Sequence, residues 1–370
     1  MVIYLVQLAI ILLLSLVFHP ESSDKGKRWF VFLSFILLTF VSGMRGFSVG
    51  VDTHSYVSYF LRAGNYTLTN TRFEAGFVIY LKILRFFTNE PGVLLFISSI
   101  ICVGSVCYFI YKFSKKPAVS LLLYIMLGQY FSQMNIMRQA LAMSFSMFAF
   151  ALVLNESVEK KYKIPRIIGS VVLLIIAQSF HNVAIVLFVP WIILIRKSGK
   201  EDEYKHTIQH TVLITILIAV ATFFGYTLFL QLSSLVFSRY TDFYYSSEWG
   251  QANYFGSLFN ALISVAFMLV GAVALRGRIL TKMQRFAAIM LGFNVIFIVL
   301  SMRMEVWGRI AGSFGVYTAL IWVPEFLDVI ENRNNLIIVE GTVMAGSFLY
   351  MMVILIYRPE WWGVVPYVIG

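Results

Sequence analysis

Long apolar runs recur along the whole chain and are separated by short polar segments. Most are long enough to cross the roughly 30 Å hydrocarbon core of a bilayer as α-helices. Because the runs are solidly apolar rather than alternating, they favour helices over the strands of a membrane barrel. The pattern predicts about twelve spans, at residues 2–18, 29–43, 91–111, 118–132, 136–154, 167–180, 183–197, 211–233, 257–275, 286–302, 310–326 and 336–357.

One apolar segment, residues 73–87, does not fit as a span. It is short and carries Glu74, Lys82 and Arg85. Counting it as a crossing would place the loops before and after it on opposite faces, contrary to their charge. We therefore expect a re-entrant or interfacial helix near residues 73–88.

The loops between the spans sort by charge. Five carry clusters of Lys and Arg, and with twelve spans all five fall on one face, which the positive-inside rule makes cytoplasmic. Both termini are then outside. The basic clusters lie at residues 25–28, 112–116, 160–166, 196–205 and 276–285.

The composition supports a polytopic all-α membrane protein. Charged residues make up 13 % of the chain, against about 25 % in soluble domains. The net charge of +11 lies largely in the orienting loops, so it does not indicate nucleic-acid binding. We expect a single integral membrane domain over residues 1–370, with the outer loops 44–72 and 234–256 covering a site.

Isolated polar residues collect on the face opposite the basic loops. An arginine in or beside a span is costly unless it is paired, so each is a candidate for function. The set comprises Arg45, Asp52, His54, Arg62, Arg72 and Glu74 in the first outer loop, Asn135, Arg138 and Gln139 at the fifth span, His181 and Asn182 in a tight turn, Arg239, Asp242 and Glu248 in a Tyr-rich loop, and Arg303, Glu305 and Arg309 near the eleventh span.

Arg138 begins a stripe of small residues, Ala142, Ser146 and Ala149, that is suited to close helix packing. The stripe favours an Arg138 that faces the bundle. Two other interpretations stay open, in which the side chain reaches the outer headgroups or pairs with a carboxylate for structural reasons.

Two further outer-face sites have structural alternatives. Arg309 lies between Gly308 and Gly312, a spacing typical of tightly packed helices, which predicts that Arg309 is buried. Arg303 and Glu305 are close enough in sequence to pair with each other at the membrane surface.

The chemistry of this polar set favours an anionic ligand. Guanidinium groups bind phosphate in a bidentate manner, and Gly46 and Gly50 let a ligand approach main-chain N–H groups. The histidines and carboxylates show no metal-ligand grouping. A lipid-linked pyrophosphate at the outer leaflet suits the array. The aromatic loop 239–249 is either an interfacial belt or a surface on which sugar rings stack.

Six short motifs follow one another along nearly the whole chain. They are Arg45…Gly50-x-Asp52…Tyr56, Phe73-Glu74-x-Gly76-Phe77, Met137-Arg138-Gln139-Ala140-Leu141-Ala142, Phe180-His181-Asn182-x-Ala184, Arg239-Tyr240 and Pro366-Tyr367. This ordered set resembles the EpsG family of bacterial polysaccharide polymerases, which are similar in role to the Wzy O-antigen polymerases. Ala75 stands where the family pattern has proline.

The resemblance implies a glycan polymerase of the bacterial inner membrane. Such an enzyme joins undecaprenyl-pyrophosphate-linked repeat units into O-antigen, capsule or exopolysaccharide at the periplasmic leaflet. It transfers the growing chain from its carrier to a hydroxyl of the incoming unit, as a membrane glycosyltransferase that needs neither metal nor cofactor. The implied partners are the lipid-linked glycan, membrane lipid and a chain-length regulator protein, and they include no nucleic acid.

This chemistry assigns expected roles. His181 and Asp52, with Glu305 third, are candidates for the base that receives the acceptor's proton. Arginines stabilise the charge that develops on the leaving pyrophosphate, and Glu74 orients one of them. The expected substrate-binding residues are Arg45, Tyr56, Glu74, Arg138, Gln139, Arg239, Tyr240, Arg303 and Arg309.

Two other functions stay open. A lipid-linked glycan transporter or flippase is compatible with twelve spans, although such proteins usually show repeated halves and a site near the midplane, whereas this chain has no internal repeat. A ligase that hands finished glycan to another acceptor uses the same donor chemistry, so the sequence does not separate it from a polymerase.

Overall fold

α-Helices joined by short turns make up the chain in a computed structural model. The structure describes residues 1–67, 70–71, 73–155, 162–197, 208–232, 234–235 and 254–370. Within these ranges no β-strand forms, and the one extended pairing is an isolated antiparallel bridge between Arg45 and Ile369. The predicted all-α class is confirmed.

The described residues include eight helices that are long and apolar enough to cross a membrane, or nine if one bent pair is a single span. Three shorter apolar helices, Val2–Phe18, Pro117–Met126 and Asn182–Ile195, accompany them. Together these elements match the twelve predicted segments one to one. The chain is therefore a multi-pass membrane protein, whereas the number of crossings stays a prediction.

The chain divides into two compact units, and the first comprises residues 1–195 and 332–370. That they work as one integral domain stays a prediction. The helices of the first unit are α1 (Val2–Phe18), α2 (Asp24–Gly43), α3 (Thr53–Leu61), α4 (Ala75–Phe87), α5 (Pro91–Phe113), α6 (Pro117–Met126), α7 (Gln129–Asn135), α8 (Met137–Leu154), α9 (Lys163–Phe180), α10 (Phe188–Lys197), α17 (Arg333–Tyr357) and α18 (Pro359–Trp362).

The predicted span 118–132 is interrupted in the structure. Gly128 has a φ of +79°, a conformation that glycine adopts readily, and it separates α6 from α7. A side chain here would also meet the Trp362 ring, since a Cβ would lie 2.2 Å from it. The hydropathy pattern does not reveal this break, because both halves are apolar.

One end of the first unit gathers the polar residues. Ser42 near the end of α2 bonds to Ser99 near the start of α5 at 2.8 Å, and Ser98 contacts Met137 at the start of α8. At the opposite end, Lys27 donates to the Ser114 carbonyl at 2.9 Å. The basic loops 25–28 and 112–116 therefore lie together, away from the polar end, as their charge predicts.

The small-residue stripe of α8 faces the bundle. Ala142, Ser146 and Ala149 are all buried, and α8 packs against α5 and α9. This confirms the packing that the stripe predicted, and it fixes the rotation of α8 about its axis. Because Arg138 lies on the same stripe in the first turn of α8, that rotation also sets the direction of its side chain.

The helix expected near residues 73–88 is present as α4. Its 13 residues give a length of about 20 Å, short of the roughly 30 Å bilayer core. One side of α4 buries Phe77, Val78 and Leu81, while Phe86 and Phe87 are 84 % and 77 % exposed. Its place at the membrane interface stays a prediction.

The second unit spans residues 196–331. Stacked rings of Phe293, Phe297 and Phe314 join two of its helices, and a π-helical stretch, Thr318–Trp322, interrupts one predicted span. Its helices are α11 (Ile208–Phe224), α12 (Tyr226–Leu232), bent by 92° from α11, α13 (Tyr254–Ala274), α14 (Lys282–Leu300), α15 (Val306–Tyr317) and α16 (Val323–Asp328).

Candidate functional site

Arg138 and Glu74 form an ion pair at the polar end of the first unit. The Arg138 Nη1 donates to Glu74 Oε2 at 2.5 Å. The two side chains are 21 % and 8 % exposed, respectively. A charge-assisted bond of this kind is about twice as strong as a neutral one, so Glu74 holds the guanidinium in a defined orientation. The neighbouring Gln139 is buried.

Aromatic rings surround the Arg138 guanidinium. Its carbon Cζ lies 5.0 Å from the centroid of the Phe73 ring and 5.9 Å from that of Phe77, within the range of cation–π attraction. The Arg138 charge also acts on the Tyr56 hydroxyl. These contacts hold a partly exposed Arg138 side chain beside aromatic rings.

Gly76 brings α4 against the end of α9. A Cβ at Gly76 would lie 2.2 Å from Ser179 Oγ and 2.8 Å from the Ser179 carbonyl oxygen, so no larger residue fits. The close approach lets Glu74 Oε1 accept from the Asn182 main-chain N–H at 3.1 Å. Ala75 is the first residue of α4, where proline is also accommodated, so the helix start is preserved.

His181 ends α9 and is buried. Its Nδ1 accepts from the Val183 main-chain N–H at 3.2 Å. A neutral imidazole with Nδ1 as acceptor carries its proton on Nε2. In this arrangement His181 presents a donor, whereas the base role predicted for it requires an unprotonated nitrogen.

Asp52 precedes α3, and its side chain does not cap that helix. Tyr56 follows one turn later, and the charges of both Arg138 and Asp52 act on its hydroxyl. Burial raises the pKa of Tyr56 above its usual value, the Arg138 guanidinium opposes that rise and the Asp52 carboxylate adds to it. Tyr56 therefore stays a neutral hydroxyl between an acid and a cation.

Arg45 is placed differently from the other predicted ligand residues. It is 3 % exposed, and its guanidinium donates to the Ser42 carbonyl and, at 3.1 Å, to the Met134 carbonyl. Both carbonyls lie in the last turn of a helix, where a cation is favourable. Burial lowers the pKa of Arg45 to about 10. No carboxylate among the described residues pairs with it.

Arg303, Glu305 and Arg309 belong to the second unit. The prediction that Arg309 is buried is wrong, because the side chain is exposed and a Cβ at Gly312 would meet nothing within 4 Å. The helix contact that the glycine spacing predicted is made instead by aromatic rings. Arg303 lies over the Phe223 ring at 4.4 Å. Arg303 and Glu305, both described, form no ion pair with each other.

Some predicted residues lie outside the described ranges, namely Arg72, Arg239 and Tyr240, with most of the loop 234–256. Among the residues that are described, no group of three or more His, Cys, Asp or Glu side chains is arranged to hold a metal ion.

Sequence reasoning missed three contributors to the site. Phe73 and Phe77 belong to one of the sequence motifs, and aromatic residues on either side of Glu74 are the sequence sign of a cation–π site. Asn135 is one of the polar residues of the outer face, but its residue type alone indicates no role. Its bonds to Val51 and Trp362 form beside the helix break before α8, which the hydropathy pattern does not predict.

These features together define an all-helical, multi-pass membrane protein with a partly buried arginine–carboxylate site at one end of a helix bundle. The chain belongs to the EpsG family, whose model matches residues 28–369, and the family resemblance seen in the motifs is confirmed. The family consists of membrane proteins linked to exopolysaccharide biosynthesis. Neither a curated protein nor a solved structure matches the chain.

Proposed function

We propose that this protein polymerises undecaprenyl-pyrophosphate-linked oligosaccharide repeat units into O-antigen, capsule or exopolysaccharide. It acts at the periplasmic face of the bacterial inner membrane, with twelve spans and both termini periplasmic. Membership of a polysaccharide-biosynthesis family supports the substrate class. The observation that carries the proposal is the partly exposed Arg138 side chain, paired with Glu74 and lying close to the rings of Phe73 and Phe77.

The reaction that suits this site is transfer of a glycosyl group. The bond between the anomeric carbon of the growing chain and its pyrophosphate oxygen breaks, and the electron pair leaves with the pyrophosphate. A hydroxyl oxygen of the incoming unit bonds to that carbon and loses its proton to a base. Arg138 stabilises the negative charge that grows on the leaving group, with Gln139 supporting it, and such stabilisation is usually the largest catalytic contribution.

Asp52 is the base that fits best. It lies one turn before Tyr56, whose hydroxyl interacts with Arg138 and senses the Asp52 charge. A carboxylate is ionised at neutral pH and accepts a proton directly. His181, which carries its proton on Nε2 when Nδ1 accepts from Val183, serves as a hydrogen-bond donor to substrate.

The remaining predicted residues take supporting roles in this proposal. Arg45 holds helix ends together rather than touching phosphate, because its guanidinium faces main-chain carbonyls. Arg239, Tyr240, Arg303, Glu305 and Arg309 lie in the second unit and stay candidates for binding the lipid-linked glycan. No metal or cofactor takes part, and a chain-length regulator and membrane lipid are the expected partners.

The surface glycan of a strain lacking this protein tests the proposal. A polymerase predicts that the ladder of chain lengths disappears while a single repeat unit is still attached. Loss of all attached glycan would instead indicate a ligase or a flippase. An unchanged ladder would reject a role in this polymer. A plasmid that carries the native gene should restore the ladder. A plasmid that carries the Arg138→Ala variant should not restore it, even at equal protein level.

A further inference from the structure

Asn135 stands at the break that determines where Arg138 lies. It is the last residue of α7, and Ile136 after it has φ −93° and ψ 54°, outside the helical region. The next helix, α8, begins at Met137. The side chain of Arg138 therefore projects from the first turn after the break, and whatever fixes the break also fixes the guanidinium.

The amide of Asn135 is fully used in hydrogen bonds. Its Oδ1 accepts from the Val51 N–H at 2.6 Å, and its Nδ2 donates to the Trp362 carbonyl at 2.5 Å and to the Phe131 carbonyl at 3.4 Å. Only a primary amide offers an acceptor and two donors on one planar group of this length. Val51 immediately precedes Asp52, so one buried side chain joins the proposed base to the proposed phosphate ligand.

Two tightly packed glycines surround the hydrogen bond between Asn135 and Val51. Gly50 has a φ of +98°, and a Cβ there would lie 3.0 Å from Asn135 Oδ1. The Gly50 N–H donates to the Gly363 carbonyl at 2.7 Å, and Gly363 has a φ of +59° with a Cβ position 2.9 Å from the Val51 nitrogen. Glycines permit both conformations, and the packed main chain excludes larger residues.

The segment that follows α17 completes the arrangement. Besides the bond from Asn135 to Trp362, the Tyr367 hydroxyl donates to the Val41 carbonyl at 2.9 Å, and the Gly46 N–H donates to the Val368 carbonyl at 2.7 Å. Residues 359–370 thus lie against the loop 44–52, which carries Asp52. The late Pro366-Tyr367 motif packs where the first outer loop begins.

We propose that Asn135 is a positioning residue that sets Asp52 relative to Arg138 without touching substrate. This inference rests on the proposed function. Substituting Asn135 by Asp tests it, because an ionised carboxylate still accepts from Val51 but repels the Trp362 carbonyl. A protonated carboxyl restores one donor and one acceptor, so the defect should lessen as the pH falls.

The experiment uses the full-length protein in lipid nanodiscs with an undecaprenyl-pyrophosphate-linked repeat unit. Near pH 8, Asn135→Asp should polymerise roughly tenfold to a hundredfold more slowly than the unaltered protein, as expected for a small displacement of reacting groups. The ratio to the unaltered protein at the same pH should rise as the pH falls towards about 5, where a buried carboxyl takes up a proton. The KM for the lipid-linked unit should change less than kcat.

Asn294→Asp is the matched control. Asn294 is also a buried amide that donates to a main-chain carbonyl, that of Ala311 at 2.9 Å, but it lies in the second unit. Its activity per amount of folded protein should equal that of the unaltered protein at every pH.

Hydrogen exchange supplies a readout that does not depend on activity. Asn135→Asp should speed exchange of the amides in residues 46–53 and leave those of α9 unchanged. Normal kcat with normal exchange would reject the inference, as would a loss of activity that follows folded protein at every pH. If the unaltered protein makes no polymer, the proposed function fails, whereas unchanged exchange in residues 46–53 rejects the inference about Asn135 by itself.

Discussion

Arg138 is partly exposed, paired with a carboxylate and close to two aromatic rings at once. Its charge is offset by Glu74 on one side and by the faces of Phe73 and Phe77 on the other. The Arg45 guanidinium, by contrast, donates its hydrogen bonds to main-chain carbonyls. The sequence shows both as arginines beside a span and does not distinguish them, because the difference depends on which carbonyls and rings surround each guanidinium.

Among single-residue changes, Arg138→Lys tests most directly whether Arg138 binds the pyrophosphate. Lysine keeps the charge but loses the planar, two-pronged geometry that suits phosphate. We expect normal protein level and a loss of polymerisation of roughly a hundredfold or more, the usual effect of removing a donor to a developing anion. Chain-length ladders measured beside protein abundance give the result.

Arg62→Lys is the matched control for that change. Arg62 lies in the first outer loop, is exposed and donates to Ser58 one turn away, so the ladder should not change. If Arg138→Lys gives normal ladders at normal abundance, Arg138 does not bind the pyrophosphate.

Glu74→Gln tests whether Glu74 acts through Arg138. Glutamine still accepts from the Asn182 N–H but removes the charge that pairs with the guanidinium. If orientation of Arg138 is the role of Glu74, Glu74→Gln should slow polymerisation in the native background and add little to Arg138→Lys, since residues that act together are non-additive. Full additivity in the double variant would show that Glu74 acts independently.

At the scale of elements, the site depends on how closely α4 approaches α9. Gly76→Ala should force these helices apart, because a Cβ would lie 2.2 Å from Ser179 Oγ. Overpacking of this kind costs about 1–3 kcal/mol, and it should also separate Glu74 from Asn182. We expect a lower melting temperature together with reduced polymerisation.

Gly92→Ala provides the comparison for Gly76→Ala. Gly92 is likewise the second residue of its helix, α5, but a Cβ there would meet nothing within 4 Å. Alanine in a helix is favoured over glycine by up to about 1 kcal/mol, so stability should hold or rise. Equal effects of the two substitutions would contradict a specific α4–α9 contact.

Hydropathy predicts the apolar helices, and the short length and charges of residues 73–87 predict that α4 differs from the spans. Charge also predicts that the polar residues collect at the end of the bundle opposite the basic loops. They did not predict the breaks at Gly128 and Gly225, since the flanking residues are apolar on both sides. Arg309 was misplaced because glycine spacing is only one way to pack two helices, and here stacked rings such as Phe297 and Phe314 do so. The site could not be predicted in full, because it depends on contacts between residues far apart in the sequence, such as Glu74 with Asn182.

At the scale of the whole molecule, the charge sorting predicts which end faces the cytoplasm. Ser22 and Asn65 are both exposed, and Ser22 is a better labelling site than Ser23, whose hydroxyl caps α2. In intact cells, an impermeant thiol reagent should label Asn65→Cys and should label Ser22→Cys only after permeabilisation. The native Cys102 and Cys107 are buried, so background labelling should be low. Labelling of Ser22→Cys from outside would reverse the orientation.

Polymerisation by the purified full-length protein tests the central claim most directly. The protein is reconstituted in nanodiscs, given an undecaprenyl-pyrophosphate-linked repeat unit and assayed with excess EDTA. The account predicts a ladder of lipid-linked chains that forms without added metal and is lost in Arg138→Lys. A protein that is folded yet makes no ladder, or one whose ladder requires Mg²⁺ or Mn²⁺, would contradict it.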